Sequence, residues 1–279
     1  MIQNEINEDC FVRIENKYLL NDEQAQNLIP ILQSYLVNAS PVPSTDYTII
    51  ESVYFDNMDL YSLNEYLAQN NNRSKMRTRK YAPNGCWDNE IFVELKSKVD
   101  GISKKSRLKM TNIDVKNLYT SETLIRTSEL EFLNTPMKIS KIEKRLENIN
   151  IFLNRLKAIP TCKVSYSRIA YESKNDHFRV TLDKNIKFQM LTTLSNDICK
   201  KINSNESFNN IMNLAQEKFS KNSHVLEIKH SGTIPQWMND FLNLNNIEKV
   251  SFSKYCYAMS FTLKEKVVFQ TINESVEAL

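Results

Sequence analysis

The sequence predicts an α+β fold in which mainly antiparallel strands are flanked by helices, on two grounds. Several segments alternate polar and apolar residues with a period of two, the pattern of strands whose two faces differ chemically. These segments come in sequence-adjacent pairs, while stretches of helical spacing gather in the middle of the chain and toward its ends. Three glycines in 279 residues argue against Gly-rich phosphate-cradling loops of the Walker or Rossmann type, so side chains are expected to hold any phosphate. Periodicity leaves open whether the strands form an open sheet or a closed barrel.

In chain order the expected strands are Cys10 to Leu20, Thr48 to Phe55, Ser74 to Tyr81, Glu90 to Lys98, Lys163 to Tyr171, Phe178 to Asp183, Val225 to His230 and Ser253 to Phe261. Asn21 is the expected N-cap of a helix over Gln24 to Leu36. Met58 to Gln69 reads as a short helix, and Lys116 to Leu156 as a long helical region broken at Pro136. Glu206 to Phe219 and Pro235 to Leu244 read as further helices. With no repeat, linker or low-complexity tract, residues 1–279 are read as a single domain.

Composition narrows the class. A hydrophobic share of 41% furnishes a core. Lys+Arg number 36 against 33 Asp+Glu, a balance that gives no sign of bulk nucleic-acid binding. Cys10, Cys86, Cys162, Cys199 and Cys256 lack metal-ligand or disulfide spacing and read as reduced thiols. The first ten residues are polar and acidic where a signal peptide needs an apolar core. No apolar run nears the roughly 18 residues of a membrane span. A soluble, cytoplasmic protein is expected.

The strand faces carry the chemistry. Arg13, Glu15 and Lys17 share one face of the first strand, Arg77 and Arg79 one face of the third, and Glu94, Lys96 and Lys98 one face of the fourth. Lys105 and Arg107 follow the turn at Asp100-Gly101. Tyr166 with Arg168, Arg179 with Thr181 and Asp183, Glu227 with Lys229, and finally Lys254 continue the pattern. An ordinary solvated face mixes many polar types, whereas these strands repeat Arg and Lys at i and i+2. Like charges aligned across a sheet repel, so the array makes sense if a polyanion neutralises it. Arg offers phosphate a planar fork of donors and Lys a point charge. Glu15, Glu94 and Glu227 are candidate ligands for Mg2+ or Mn2+, which bind carboxylates together with substrate phosphates.

The order of short motifs adds a resemblance. Arg13-Ile-Glu15-Asn-Lys17-Tyr18, Tyr54-Phe55-Asp56, Arg77-Thr-Arg79, Phe92-Val-Glu94-Leu-Lys96 and Lys104-Lys105-Ser-Arg107 resemble the first half of the catalytic domain of vacuolar transporter chaperone (VTC) polyphosphate polymerases, a branch of the triphosphate tunnel metalloenzymes. Tyr166-Ser-Arg168, Arg179-Val-Thr-Leu-Asp183, Leu226-Glu227-Ile-Lys229, Pro235-Gln-Trp237 and Ser253-Lys254-Tyr255 resemble the second half in the same order. The resemblance spans roughly residues 10 to 260. It implies a closed antiparallel β-barrel, the triphosphate tunnel, with charged faces inward and helices outside. It places Lys17, Arg77, Arg79, Lys96, Lys105, Arg168, Arg179 and Lys254 as catalytic tunnel cations. It makes Arg13, Lys98, Arg107, Tyr166 and Lys229 substrate-binding, and Glu227, with Glu94 and Glu15, the ligands of Mn2+ or Mg2+. ATP and inorganic polyphosphate are the implied partners. The eukaryotic members also carry a phosphate-sensing SPX domain and a membrane anchor, so a membrane partner protein is part of the expectation. The first strand reads Arg-x-Glu-x-Lys where hydrolytic tunnel enzymes read Glu-x-Glu-x-Lys, which favours polymerisation.

The alternatives are hydrolysis of inorganic triphosphate or polyphosphate on the same fold, and a polyphosphate- or nucleotide-binding module without turnover. RNA binding ranks last, because the aromatic residues do not alternate with the basic ones as a stacking platform requires. His177, His224 and His230 read as structural or surface residues, Trp87 and Trp237 as packing, Asp56 as a cap or ion-pair partner, and Lys141, Lys144 and Arg145 as a solvated helix face.

Overall fold

Alternation becomes strand wherever the apolar half of a segment finds a helix to pack on. The computed structural model describes residues 14–39, 47–100, 102–110, 118, 125, 139–174, 177–192 and 223–259. Its strands are β1 (Ile14–Leu20), β2 (Val37–Asn38), β3 (Thr48–Asp56), β4 (Arg73–Ala82), β5 (Ile91–Val99), β6 (Ile102–Met110), β7 (Ile159–Glu172), β8 (Arg179–Met190) and β9 (His224–His230). The helices are α1 (Asp22–Tyr35), α2 (Tyr61–Leu67), α3 (Ile139–Leu156), α4 (Gln236–Leu244) and α5 (254–259). Arg13, Pro136 and the expected helix at Glu206 to Phe219 lie outside the described residues.

The hydrogen-bonded order is β1-β9-β8-β7-β3-β4-β5-β6, with β2 on β7. The pairs β1–β9, β8–β9, β3–β4, β4–β5, β5–β6 and β2–β7 are antiparallel. This is the α+β arrangement of an antiparallel sheet with flanking helices. The path has two ends, so the ring closure of a barrel is not among the described pairings.

The chain divides into two compact units, and β7 and β8 each contribute to both. The first comprises residues 1–47, 167–185 and 219–252. Here Tyr18 and Leu20 of β1, Val180 and Leu182 of β8, and Leu226 and Ile228 of β9 form one apolar face. It is covered by Ala25, Leu28 and Leu32 of α1 and by Met238, Phe241 and Leu242 of α4. The helix starts where a capping box allows it: Gln24 donates its backbone N–H to the Asn21 side chain at 2.8 Å, and Asn21 donates its own to Gln24 at 3.0 Å. Trp237 stacks on Tyr35 with centroids 4.6 Å apart, a packing role as expected.

The second unit comprises residues 48–166, 186–218 and 253–279. Val53, Phe55, Met76, Val93, Leu95 and Leu108 face the apolar stripe of α3, whose Ile142, Leu146, Ile149 and Leu153 recur at helical spacing. A second cluster gathers Tyr54, Leu60, Leu63, Cys162, Val164, Tyr166, Tyr255 and Met259 around α2 and α5. Helix α2 begins at Leu60, which is left-handed (φ 55) and has no capping side chain. The preceding residues cap it instead: Asp56 accepts from the N–H groups of Ser62 and Leu63, and Asn57 from that of Tyr61. Asp56 is thus a cap.

Three readings are corrected. Ser253 to Phe261, expected as a strand, is helical over 254–259, where Tyr255 to Met259 are all buried, and an all-apolar buried helix shows no helical stripe. Ser253 opens that helix, its carbonyl accepting from Tyr257 N–H. β8 continues past Asp183 to Met190 across a left-handed Asn185 (φ 53), which reads in sequence as a stop. Trp87 is 46% exposed, with the Lys80 ammonium 4.5 Å over its ring, and is not a core residue.

Asn21→Ala removes the capping box while leaving the packed face of α1 intact. It should lower stability by about 1 kcal/mol, seen as a lower urea midpoint with an unchanged m-value; an unchanged midpoint would show that packing alone sets the start of α1.

Candidate functional site

The antiparallel register of β3 to β6 lines up side chains in rows on the face opposite the α3 core. One row runs Tyr54, Arg77, Glu94, Arg107, and the next runs Ser52, Arg79, Phe92, Lys109. On the other side lie Lys75, Lys96 and Lys105, then Arg73, Lys98 and Ser103. Glu94 is the one acid in these rows. Two like charges about 5 Å apart at an effective dielectric of about 20 repel by roughly 3 kcal/mol, so the grouping needs compensation.

Glu94 supplies much of it from a side chain that is 1% exposed. Its Oε2 accepts from Arg77 Nε at 2.8 Å and Nη2 at 2.7 Å. Its Oε1 lies 2.9 Å from Lys105 Nζ and 3.5 Å from Arg107 Nε. Burial on its own pushes the Glu94 carboxyl up, but Arg77, Arg79 and Lys105 outweigh it and hold the group well below the usual carboxylate range. Burial pulls Arg77 down, and Tyr54 and Glu94 more than restore it, so it stays charged. Lys105 ends below the ordinary ammonium range, because burial outweighs the pull of Glu94.

Further contacts fix the guanidinium groups. Arg77 donates to Tyr54 Oη at 3.1 Å, and Arg79 to Ser52 Oγ at 3.2 Å and Tyr166 Oη at 3.0 Å. Arg107 lies 3.8 Å over the Phe92 ring. Lys254, on the first turn of α5, places its ammonium 4.6 Å over the Tyr166 ring. The second unit therefore brings together Arg77, Arg79, Glu94, Lys105 and Arg107, with Lys96 and Lys98 in the adjoining rows and Tyr166 tied to Lys254. Lys75 was missed, although it stands at i−2 from Arg77 on the same strand; its ammonium donates to Ser253 Oγ at 2.8 Å.

The first unit carries a different pattern, alternating in sign. Lys17, Glu227 and Thr181 form one row and Glu15, Lys229 and Arg179 the next. Lys229 Nζ stands 2.8 Å from Glu227 and 3.7 Å from Glu15, while Lys17 Nζ stands 2.9 Å from Glu15. Arg168 makes a two-pronged pair with the fully buried Asp183, at 2.5 and 2.7 Å. Arg179 is more exposed and lies 3.7 Å from Glu172.

The ammonium of Lys229 occupies the place of a cation between two carboxylates, and the buried Thr181 hydroxyl beside Glu227 has no hydrogen-bond partner. Glu227, Glu15 and Thr181 thus fit a hard divalent cation that completes its shell with phosphate oxygens. Among the described residues no three His, Cys, Asp or Glu cluster as a protein-only metal site. Glu94 fits less well, since its side chain is 1% exposed and is enclosed by Arg77, Lys105 and Arg107. His224 pairs with Asp22 at 2.6 Å and His230 with the Gly232 carbonyl, structural roles both. Lys141 and Lys144 are exposed on α3, while Arg145 donates to the Arg107 carbonyl at 3.2 Å. Of the described cysteines, Cys86 is exposed, and burial pushes the Cys162 and Cys256 thiols up.

The fold and site together define an α+β protein whose antiparallel sheet presents ordered basic rows on one face. A family model described as the VTC domain matches residues 12–263, and the chain belongs to that family. No curated protein sequence matches it. Among solved structures it is similar to the PH1819 protein of Pyrococcus horikoshii OT3, at 14% identity, covering 91% of this chain and 99% of that one with a TM-score of 0.40. It is also similar to a candidate adenylate cyclase (bh2851) of Bacillus halodurans, at 14% identity, covering 86% and 93% with a TM-score of 0.47. The PH1012 protein of Pyrococcus horikoshii OT3 is a third, at 12% identity, covering 84% and 88% with a TM-score of 0.37. No described helix is long and apolar enough to cross a membrane.

The depressed Glu94 carboxyl stabilises the fold above the ordinary carboxylate pKa of about 4.3, and that contribution is lost as pH falls below it toward the folded value. Glu94→Gln leaves Arg77 and its neighbours uncompensated and should cost about 3–5 kcal/mol at neutral pH. Urea unfolding should show the gap between the two proteins shrinking below about pH 4; a gap that stays constant into acid would mean that charge is not the cause.

Proposed function

We propose that the chain is a metal-dependent polyphosphate polymerase, transferring the terminal phosphate of ATP onto a growing inorganic polyphosphate chain. The observation that carries the reading is the set of cation rows on β4 to β6 with Glu94 as their one acid, a face that a repeating polyanion neutralises row by row. Family membership supports the substrate class. A closed tunnel, a single domain over residues 1–279 and a cytoplasmic setting belong to the same proposal, as does substrate binding by Arg13.

Arg77 and Arg79, held by Glu94, Tyr54, Ser52 and Tyr166, are donors oriented before substrate arrives, the condition under which electrostatic stabilisation is most effective. Lys96, Lys105 and Lys254 offset phosphate charge; Lys98, Arg107 and Tyr166 hold the chain. In the first unit Lys17, Arg168, Arg179 and Lys229 do the same beside Glu15 and Glu227. In the transfer, a terminal oxygen of polyphosphate bonds to the γ-phosphorus of ATP, the bond to the β–γ bridging oxygen breaks, and ADP leaves. Mg2+ or Mn2+ held by Glu227 and Glu15 would draw charge from phosphate oxygens when bound.

Purified protein with ATP and either metal should form acid-insoluble polyphosphate. Orthophosphate release without chain growth would point to a hydrolase, and binding without turnover to a carrier module. Lys96 is exposed on the face, and Lys96→Ala should lower kcat/KM at least tenfold, about 1.4 kcal/mol, while Lys141→Ala on α3 keeps wild-type rates. Glu227→Gln should abolish metal-dependent turnover yet retain polyphosphate affinity, since the amide keeps the shape and loses the charge. Turnover with unchanged metal dependence in that variant would remove Glu227 from the metal site.

A further inference from the structure

Two motifs singled out in the sequence, Tyr54-Phe55-Asp56 and Ser253-Lys254-Tyr255, have members with no part in holding phosphate. The structure joins them. Tyr255 is fully buried, and its hydroxyl donates to Asp56 Oδ2 at 2.6 Å. Asp56, also fully buried, accepts at the same time from the N–H groups of Asn57 and Ser62, both at 2.9 Å, and of Leu63 at 3.2 Å. The pair thus ties the first turn of α5 to the end of β3 and the start of α2.

The residues flanking Tyr255 are those that meet the basic face. Lys254 sets its ammonium over the ring of Tyr166, whose hydroxyl accepts from Arg79. Ser253 accepts from Lys75, and the Lys75 ammonium also lies 3.8 Å over the Tyr66 ring. The Tyr255 ring lies 5.3 Å from that of Tyr54, whose hydroxyl accepts from Arg77.

We propose that Asp56 and Tyr255 are positioning residues: their buried hydrogen bond seats α5 so that Lys254 stands at the phosphate-binding face, and it acts on substrate through Lys254 without touching it. Burial pushes the Tyr255 hydroxyl well up, so it keeps its proton and donates across the neutral range. The inference rests on the proposed phosphate-binding role of Lys254.

The test is a double-mutant cycle read by calorimetric binding of inorganic tripolyphosphate to the full chain. Tyr255→Phe keeps the ring and leaves Asp56 its three backbone donors, so the fold should hold, as a thermal melt would verify. Lys254→Ala should weaken binding about tenfold and Tyr255→Phe about threefold to tenfold, and the double variant should bind no more weakly than Lys254→Ala alone. A Tyr255→Phe effect that appears in full on the Lys254→Ala background, or no effect of Tyr255→Phe at all, overturns the positioning role and leaves the phosphate site standing. Unchanged binding by Lys254→Ala overturns the site assignment of Lys254 and the inference with it. Asp56→Asn, which keeps an acceptor but exchanges the other oxygen for a donor, should weaken binding in the same Lys254-dependent way; an additive effect there counts against the proposal.

Discussion

Burying a carboxylate costs several kcal/mol unless charge and hydrogen bonds offset it, and gathering cations on one sheet face is costly in the opposite sense. Glu94 resolves the two costs against each other. Arg77 takes one of its oxygens and Lys105 and Arg107 approach the other. The arrangement depends on register: Glu94 lies directly between Arg77 on β4 and Arg107 on β6. A shift of one residue would turn Val93 or Leu95 to the charged side and Glu94 into the α3 core. The apolar packing of Val93, Leu95 and Leu108 on α3 therefore protects the charged face as much as it stabilises the fold.

The two units use charge differently. In the second, rows of cations enclose one acid, Glu94, Lys109 pairs with Glu90 just outside them, and Arg77 and Arg79 are held by hydroxyls. In the first, Glu15, Lys17, Glu227 and Lys229 alternate in sign, so each ammonium already has a carboxylate. The rows of the second unit are rich in cations. The first unit offers oxygen ligands that an incoming cation could claim by displacing a lysine. Each unit sets its charged groups on strands whose opposite faces are apolar core.

Much of this was legible in the sequence, because strand faces are dictated by period two. Arg77 with Arg79, Glu94 with Lys96, and Glu227 with Lys229 fall on common faces from spacing alone, and the Asn21 cap was readable from its contact-free chemistry. Partners were not legible. Nothing in the spacing says that Glu94 is saturated by three cations, that Asp183 is the buried counterion of Arg168, or that Asp56 meets Tyr255. Those contacts depend on register between segments far apart in the chain. α5 was misread for a related reason: a buried helix with apolar residues on every side has no polar stripe to announce its period. Lys75 was overlooked although the same period-two rule would have placed it beside Arg77.

Every described group on the face of β4 to β6 is the end of a side chain, and the lysines stand on long stems rooted in rows about 6.6 Å apart along the strands. A cradle of backbone N–H groups would fix a phosphate at one position, because the chain path sets the donors. Ammonium groups on long side chains set that register less strictly than backbone does, even where, as at Lys75 and Lys105, a neighbour holds them. For a polymer of identical units, displacement along the rows exchanges one lysine for a similar neighbour, so the energy along that direction is nearly level. Under the proposed function, a lengthening chain would meet the Lys75–Lys96–Lys105 and Arg73–Lys98 rows as further side-chain donors, with no rearrangement of the backbone beneath it.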